Sequence, residues 1–277
     1  KIIIYYLYLV DYTKTIIKDN YYLMSRKSRR GKQLSEEEVR EVEEFVWSRN
    51  IEEDKFLQTM SINTKCKTEN QKKLVNSIKQ NEITICSGLP GSGKTFLSCS
   101  EALKLIKSRP KYKRIVLVKS ITPLKNEEIG HLPGTLEEKM APIMESFTDN
   151  IRKLIGKSRM EKLIELGVIE IVPIAFARGR SIDNSVILID EAQNISLDNI
   201  RTLMTRIGDN SKMVIMGDVK QKDIRNKRDS SLEIVLRRFD NVAGFGCVEL
   251  RDPNDVVRNP IIKLVEQVFD DMEDSNK

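Results

Sequence analysis

The chain has 277 residues, 40% of them hydrophobic, which suits one or two globular domains with a proper core and excludes a disordered or fibrous polypeptide. Its formal net charge of +6 is compatible with a polyanionic partner such as nucleic acid, though mild against 47 basic and 41 acidic residues. One histidine, His131, and four cysteines without paired metal-ligand spacing argue against a histidine-based metal site and a Ser-His-Asp triad; Cys66, Cys86, Cys99 and Cys247 are expected as reduced core residues of a cytoplasmic protein.

Residues 1–23, KIIIYYLYLVDYTKTIIKDNYYL, differ in composition from the rest, and the first methionine is Met24. They are expected to be a non-native upstream extension or a disordered tail. The apolar run Ile2–Val10 is cut by Asp11 and is too short to span a bilayer, so no membrane association is expected. Residues 24–64 form a basic and helical N-terminal segment. Its run Ser25–Lys32, SRKSRRGK, holds five cations and is open between phosphate contact and a solvated tail. Ser35–Asn50 follows as a short helix, capped by Ser35 with Glu38 three residues on, and striped by Val39, Val42, Phe45 and Val46. Residues 65–277 are expected to form one further domain.

Within that domain, Leu74, Val75 and Ile78 predict a helix that opens on Thr68-Glu69-Asn70-Gln71. The amide of Gln71 is open between reading an adenine edge, which needs both a donor and an acceptor, and being surface filler. An apolar run with Ile83, Ile85 and Cys86 then meets Gly88-Leu89-Pro90-Gly91-Ser92-Gly93-Lys94-Thr95, and Phe96, Leu97, Leu103 and Ile106 continue at amphipathic spacing. The pattern predicts strand, phosphate loop and helix. Glycines let the backbone N–H groups approach phosphate oxygens at a helix N-terminus, Lys94 reaches the β- and γ-phosphates, and the Thr95 hydroxyl ligates Mg²⁺. Positions 88 to 96 are therefore the expected nucleotide-binding residues.

Arg114–Lys119 predicts a second buried strand, and a loop from Lys125 leads to a helix capped by Thr135 with Glu138 at the capping-box position. Helices continue over Met140–Gly167, followed by a strand at Val168–Pro173. Arg178 and Arg180, just past it, are open between phosphate or nucleic-acid contact and simple ion pairing. Val186–Ile189 predicts a buried strand that delivers Asp190 and Glu191 at its carboxyl end, where ligands collect in open α/β sheets. Asp190 would hold Mg²⁺ and Glu191 would orient and deprotonate the attacking water. Ser196 caps a helix through Leu203 and Met204, and Lys212–Met216 forms the next strand. It leads to Gly217-Asp218-Val219-Lys220-Gln221, where Gln221 can sense a γ-phosphate. A strand at Gly246–Leu250 and a helix with Ile261, Ile262, Leu264, Val265 and Val268 complete the chain.

With the phosphate loop, the DEAQ box at Asp190–Gln193 and the GDxxQ box at Gly217–Gln221, the sequence resembles the PhoH family of ATPases, which look like the first motor domain of superfamily-one helicases. HLPGTLEEK at His131–Lys139, ARGRS at Ala177–Ser181, TRIG at Thr205–Gly208 and DVVRNP at Asp255–Pro260 also look like family blocks. Where family members often carry an aromatic after Ala141-Pro142, this chain has Ile143. The resemblance implies an α/β P-loop NTPase fold, RecA-like, with a mostly parallel sheet and helices on both faces. It implies ATP hydrolysis with ATP and Mg²⁺ as cofactors, with Lys94, Thr95, Asp190, Glu191 and Gln221 in the roles given above. The leading expectation is action on or near single-stranded RNA; the alternative is an ATP-dependent protein switch or scaffold. A lone motor domain lacks a second domain to lend an arginine to the γ-phosphate, so a ring-like, hexameric homo-oligomer is expected, with Arg206 or Arg258 supplied in trans or else held in surface ion pairs.

Overall fold

Apolar residues on the central strands point alternately to two sides, and a helix layer covers each side. The computed structural model describes residues 54–108, 111–119, 136–174, 181–220, 230–259 and 261–274. The expected tail at 1–23, the basic run and the helix at Ser35–Asn50, His131, Arg178, Arg180 and Gln221 lie outside those residues. Strands β1 (Ile83–Gly88), β2 (Arg114–Lys119), β3 (Ile169–Pro173), β4 (Ser185–Asp190), β5 (Lys212–Gly217) and β6 (Phe245–Leu250) form one sheet in the order β3-β2-β4-β5-β1-β6. Every pairing is parallel, with registers such as Ile85 opposite Ile215 and Leu117 opposite Leu188.

On one side, Cys86, Ile115, Leu117, Leu188, Val214 and Met216 pack with helices α1 (Glu69–Gln80), α2 (Lys94–Ser108), α3 (Leu136–Ile155) and α4 (Lys157–Glu165). On the other, Ile83, Ile85, Val116, Val118, Ile187, Ile189 and Ile215 pack with α5 (Leu197–Met204) and α6 (Ser231–Arg238). All six residues of β1, β4 and β5 are buried, as parallel strands covered on both faces require. This is the α/β fold of P-loop NTPases, with helices on both faces as expected.

Local signals account for most element boundaries. Thr68 caps α1 by accepting from the Gln71 N–H, and Ser196 caps α5 by accepting from the Asn199 N–H. Gly156 separates α3 from α4 with a φ of +85°. Helix α6 was not among the expected elements, although Ser230 and Glu233 carry the spacing of a capping box; the Ser230 hydroxyl accepts from the Glu233 N–H. Cys86 and Cys99 are core residues, whereas Cys66 and Cys247 are only partly buried, which corrects the expectation for those two. Helix α7 (Ile261–Asp274) closes the described chain and leaves Ile261, Leu264, Val265, Val268, Phe269 and Met272 45–62% exposed. Among the described residues, no helix is long and apolar enough to cross a membrane.

Leu188 is fully buried at the middle of β4. Leu188→Ala is expected to lower the unfolding free energy by about 2–5 kcal/mol, the range for large-to-small core changes, in urea titrations followed by circular dichroism.

Candidate active site

Parallel strands bring the turns after β1, β4, β5 and β6 to one edge of the sheet. At β1 the chain leaves Gly88 and enters α2 at Lys94, and Gly91 and Gly93 take φ values of +76° and +86° that other residues rarely adopt. The loop is braced from outside: the Leu89 N–H donates to the Leu250 carbonyl of β6 at 2.9 Å. The Lys94 ammonium donates to the carbonyls of Gly88 at 2.5 Å and Leu89 at 3.0 Å, which lays the cation along the loop.

Gln71 is 2% exposed, so it is not surface filler. Its Nε2 donates to the Ser92 carbonyl at 2.9 Å, and its Oε1 accepts from the Lys67 N–H at 2.7 Å. In this structure both ends of the amide hold backbone, and Gln71 braces the loop.

Thr95 and Asp190 meet: the Thr95 hydroxyl donates to Asp190 Oδ2 at 3.2 Å, joining the start of α2 to the tip of β4. Asp190 is 5% exposed, and its Oδ1 accepts from the Glu191 N–H at 3.0 Å. Glu191 itself sits in the left-handed region, with φ 54° and ψ 39°, a backbone state that costs a non-glycine residue about 1–3 kcal/mol and recurs at functional sites. It turns the chain sharply into the 3₁₀ segment Ala192–Asn194.

That turn brings in a residue to which the sequence alone gave no role. Gln193 Nε2 donates to Glu191 Oε2 at 2.7 Å, and Gln193 Oε1 accepts from the Asp218 N–H at 3.0 Å. One buried amide thus connects the carboxylate after β4 to the turn after β5. An amide donates from its nitrogen and accepts at its oxygen, so this one side chain serves both sides, which gives the last letter of the DEAQ box a physical reason. Gly217 makes room for it, because a Cβ there would lie 2.3 Å from Gln193 Oε1. Asp218 is buried; its Oδ1 accepts from the Lys220 N–H at 3.0 Å, and its Oδ2 has no partner among the described residues. Behind the loop, burial pushes the Cys86 thiol up to about 12 despite the nearby Lys94 ammonium, so this sulfur stays a protonated core group.

The two arginines do not join each other. The Arg206 carbonyl accepts from the Ile182 N–H ahead of β4, which sets Arg206 at the edge of the sheet opposite the phosphate loop; its Nε is buried without a partner among the described residues. Arg258 lies beside the loop, where the neighbouring Val257 N–H donates to the Gly91 carbonyl at 3.1 Å. Asp255, also given no role from sequence, is 1% exposed and ties this segment to the start of α1. Its Oδ1 accepts from the Thr68 hydroxyl at 2.6 Å, and its Oδ2 from Asn70 Nδ2 at 2.9 Å and the Asp252 N–H at 3.2 Å.

A family model described as PhoH-like protein matches residues 63–270. The chain is 34% identical to a PhoH-like protein of Bacillus subtilis (strain 168) over 204 residues, covering 74% of this chain and 63% of the relative. It is 30% identical to a PhoH-like protein of Synechocystis sp. over 212 residues, covering 76% and 64%. Against Protein PhoH of Escherichia coli (strain K12) it is 30% identical over 197 residues, covering 70% and 55%. The chain therefore spans less than two thirds of the length of these relatives. Among solved structures, the large terminase of a thermophilic bacteriophage in complex with ADP superposes with a TM-score of 0.40 at 11% identity, covering 72% of this chain and 49% of that one.

Gly217→Ala should force the Gln193 amide out of its place and destabilise the fold by about 1–3 kcal/mol, as overpacking does. Thermal unfolding of the variant against the wild type measures the loss.

Proposed function

Because the chain belongs to the PhoH-like protein family, we propose that it is a Mg²⁺-dependent ATP hydrolase of the cytoplasm. In this reading residues 65–277 form the ATPase domain, and the protein acts on or near single-stranded RNA as a ring-like homo-oligomer. The observation that carries the proposal is the Thr95–Asp190 hydrogen bond at the mouth of the phosphate loop. It pairs a hydroxyl with a carboxylate, hard oxygen donors of the kind that suit Mg²⁺, which is usually held by one or two carboxylates together with substrate phosphates. One carboxylate and one hydroxyl make a donor set of that kind, open to phosphate oxygens.

When bound, Mg²⁺·ATP supplies the transferable phosphoryl group and a cation that neutralises its developing charge. Lys94 exchanges two loop carbonyls for phosphate oxygens, and the loop N–H groups at the start of α2 bind the rest. Thr95 and Asp190 would hold the metal. Glu191, oriented by Gln193, accepts a proton from the attacking water at a carboxylate oxygen. Gln221, at the end of the GDxxQ box, senses the γ-phosphate.

The RNA reading is supported by the net charge of +6 and by the basic runs at Arg26–Lys32 and Arg178/Arg180. Self-assembly is supported by the apolar face of α7, where six large apolar side chains stand 45–62% exposed, as at interaction surfaces. Arg206 lies too far along the sheet to serve its own nucleotide. A head-to-tail ring turns that distance into a use, because each subunit can offer it to the next.

Lys94→Ala should lose both nucleotide binding and turnover. Glu191→Gln should keep ATP bound while phosphate release falls by about 10²–10⁴-fold, the usual worth of a general base. Turnover of Glu191→Gln at the wild-type rate would remove that residue from the chemistry.

ATPase rates with single-stranded RNA, with DNA and with neither, combined with light scattering, test the rest. The expected results are stimulation by RNA that fades with salt, and a ring that Leu264→Glu with Phe269→Glu breaks into slower monomers. A flat response to RNA favours a protein switch instead, and a fully active monomer ends the ring.

A further inference from the structure

We propose that residues 255–259, after β6, form the nucleoside-side wall of the nucleotide site of their own subunit, and that Arg258 binds the nucleotide there in cis, at the α-phosphate end. The inference rests on the reading of this site as an ATP site.

Strand order supplies the direction. β1 has β5, and beyond it β4, on one side and β6 on the other. Thr95 and Asp190 mark the metal and the terminal phosphates toward β4. A phosphate chain that ends there crosses the loop above β1 and has its nucleoside end toward β6 and α1. The segment that leaves β6 runs along that side.

Packing makes the segment part of the loop. The Val257 N–H donates to the Gly91 carbonyl at 3.1 Å. A Cβ placed on Gly91 would meet Arg258 Cβ at 3.1 Å, Ile262 Cδ1 at 3.3 Å and Val256 Cγ1 at 3.6 Å. Arg258 therefore starts in van der Waals contact with the phosphate loop of its own chain. Asp255 fixes this arrangement from behind, because its buried carboxylate accepts from Thr68 and Asn70 at the first turn of α1, the turn that also carries Gln71.

Arg258 is the exposed cation of this wall, and it has no ion pair or hydrogen bond among the described residues. A guanidinium offers a planar fork of donors that matches phosphate oxygens. Since the Val257 N–H next to it is tied to the Gly91 carbonyl, Arg258 travels with the loop it serves. An arginine anchored this way suits a contact shared by ATP and ADP, and it is poorly placed to reach across a subunit boundary to the γ-phosphate of a neighbour.

The two roles separate in one experiment on the full chain: equilibrium affinities for ADP and for ATP, with steady-state hydrolysis, for the wild type, Arg258→Ala and Arg258→Lys. The cis contact predicts that Arg258→Ala weakens ADP and ATP alike by about ten- to a hundredfold, the worth of a charge-assisted contact, with the loss of turnover appearing in KM rather than kcat. Arg258→Lys should recover part of the affinity. Unchanged ADP affinity in Arg258→Ala, with or without a collapse in kcat, overturns the inference while leaving the ATP reading intact. A wild-type protein that binds neither nucleotide overturns the ATP reading and the inference together.

Discussion

A sheet buried on both faces has no place for polar chemistry except its edges. Six parallel strands sandwiched between helix layers turn that constraint into an arrangement, because every strand ends at the same edge. The glycine-rich loop, the hydroxyl of Thr95 and the carboxylates of Asp190 and Glu191 come from distant parts of the chain, yet they meet because β1 and β4 flank β5. The apolar alternation that builds the core is therefore also what assembles the site.

The edge is held together by buried polar side chains. Gln71 grips the Ser92 carbonyl, Gln193 spans Glu191 and the Asp218 N–H, and Asp255 grips the first turn of α1. All three are buried, where an unsatisfied polar group is costly, so each arrangement is strongly specified. Gln193 is the most constrained, lying between a left-handed Glu191 and a glycine that leaves no room for a methyl group. The position of the Glu191 carboxylate is thus set by β5 as well as by its own strand.

What the sequence made legible follows from range. Elements with local signals were visible: the cap at Ser196, the buried runs of β2, β4 and β5, and the phosphate loop itself. Paired motifs placed Thr95 beside Asp190 because both boxes mark strand ends of one sheet. Contacts that depend on tertiary packing were not visible. Nothing near Asp255 in the sequence points to Thr68, and nothing near Gln71 shows that its amide is taken by the loop. The opposite placement of Arg206 and Arg258 likewise required the strand order, since both stand in short polar turns after regular elements. Helix α6 went unanticipated although its Ser230 cap is as local a signal as the Ser196 cap of the equally short α5.

The bonds between Asp255 and the start of α1 join residues 187 and 185 positions apart. Contacts of such separation are among the most expensive to form early, because the entropy of closing a long loop must be met before they return any stability. Helix α2 can form while the chain is still being made, whereas β1, whose sheet neighbours are β5 and β6, and the wall beside the phosphate loop wait for the last strands of the sheet. Assembly of the nucleotide site is in this sense a late event in folding, and a chain interrupted before β6 would carry a recognisable phosphate loop without the surface that braces it.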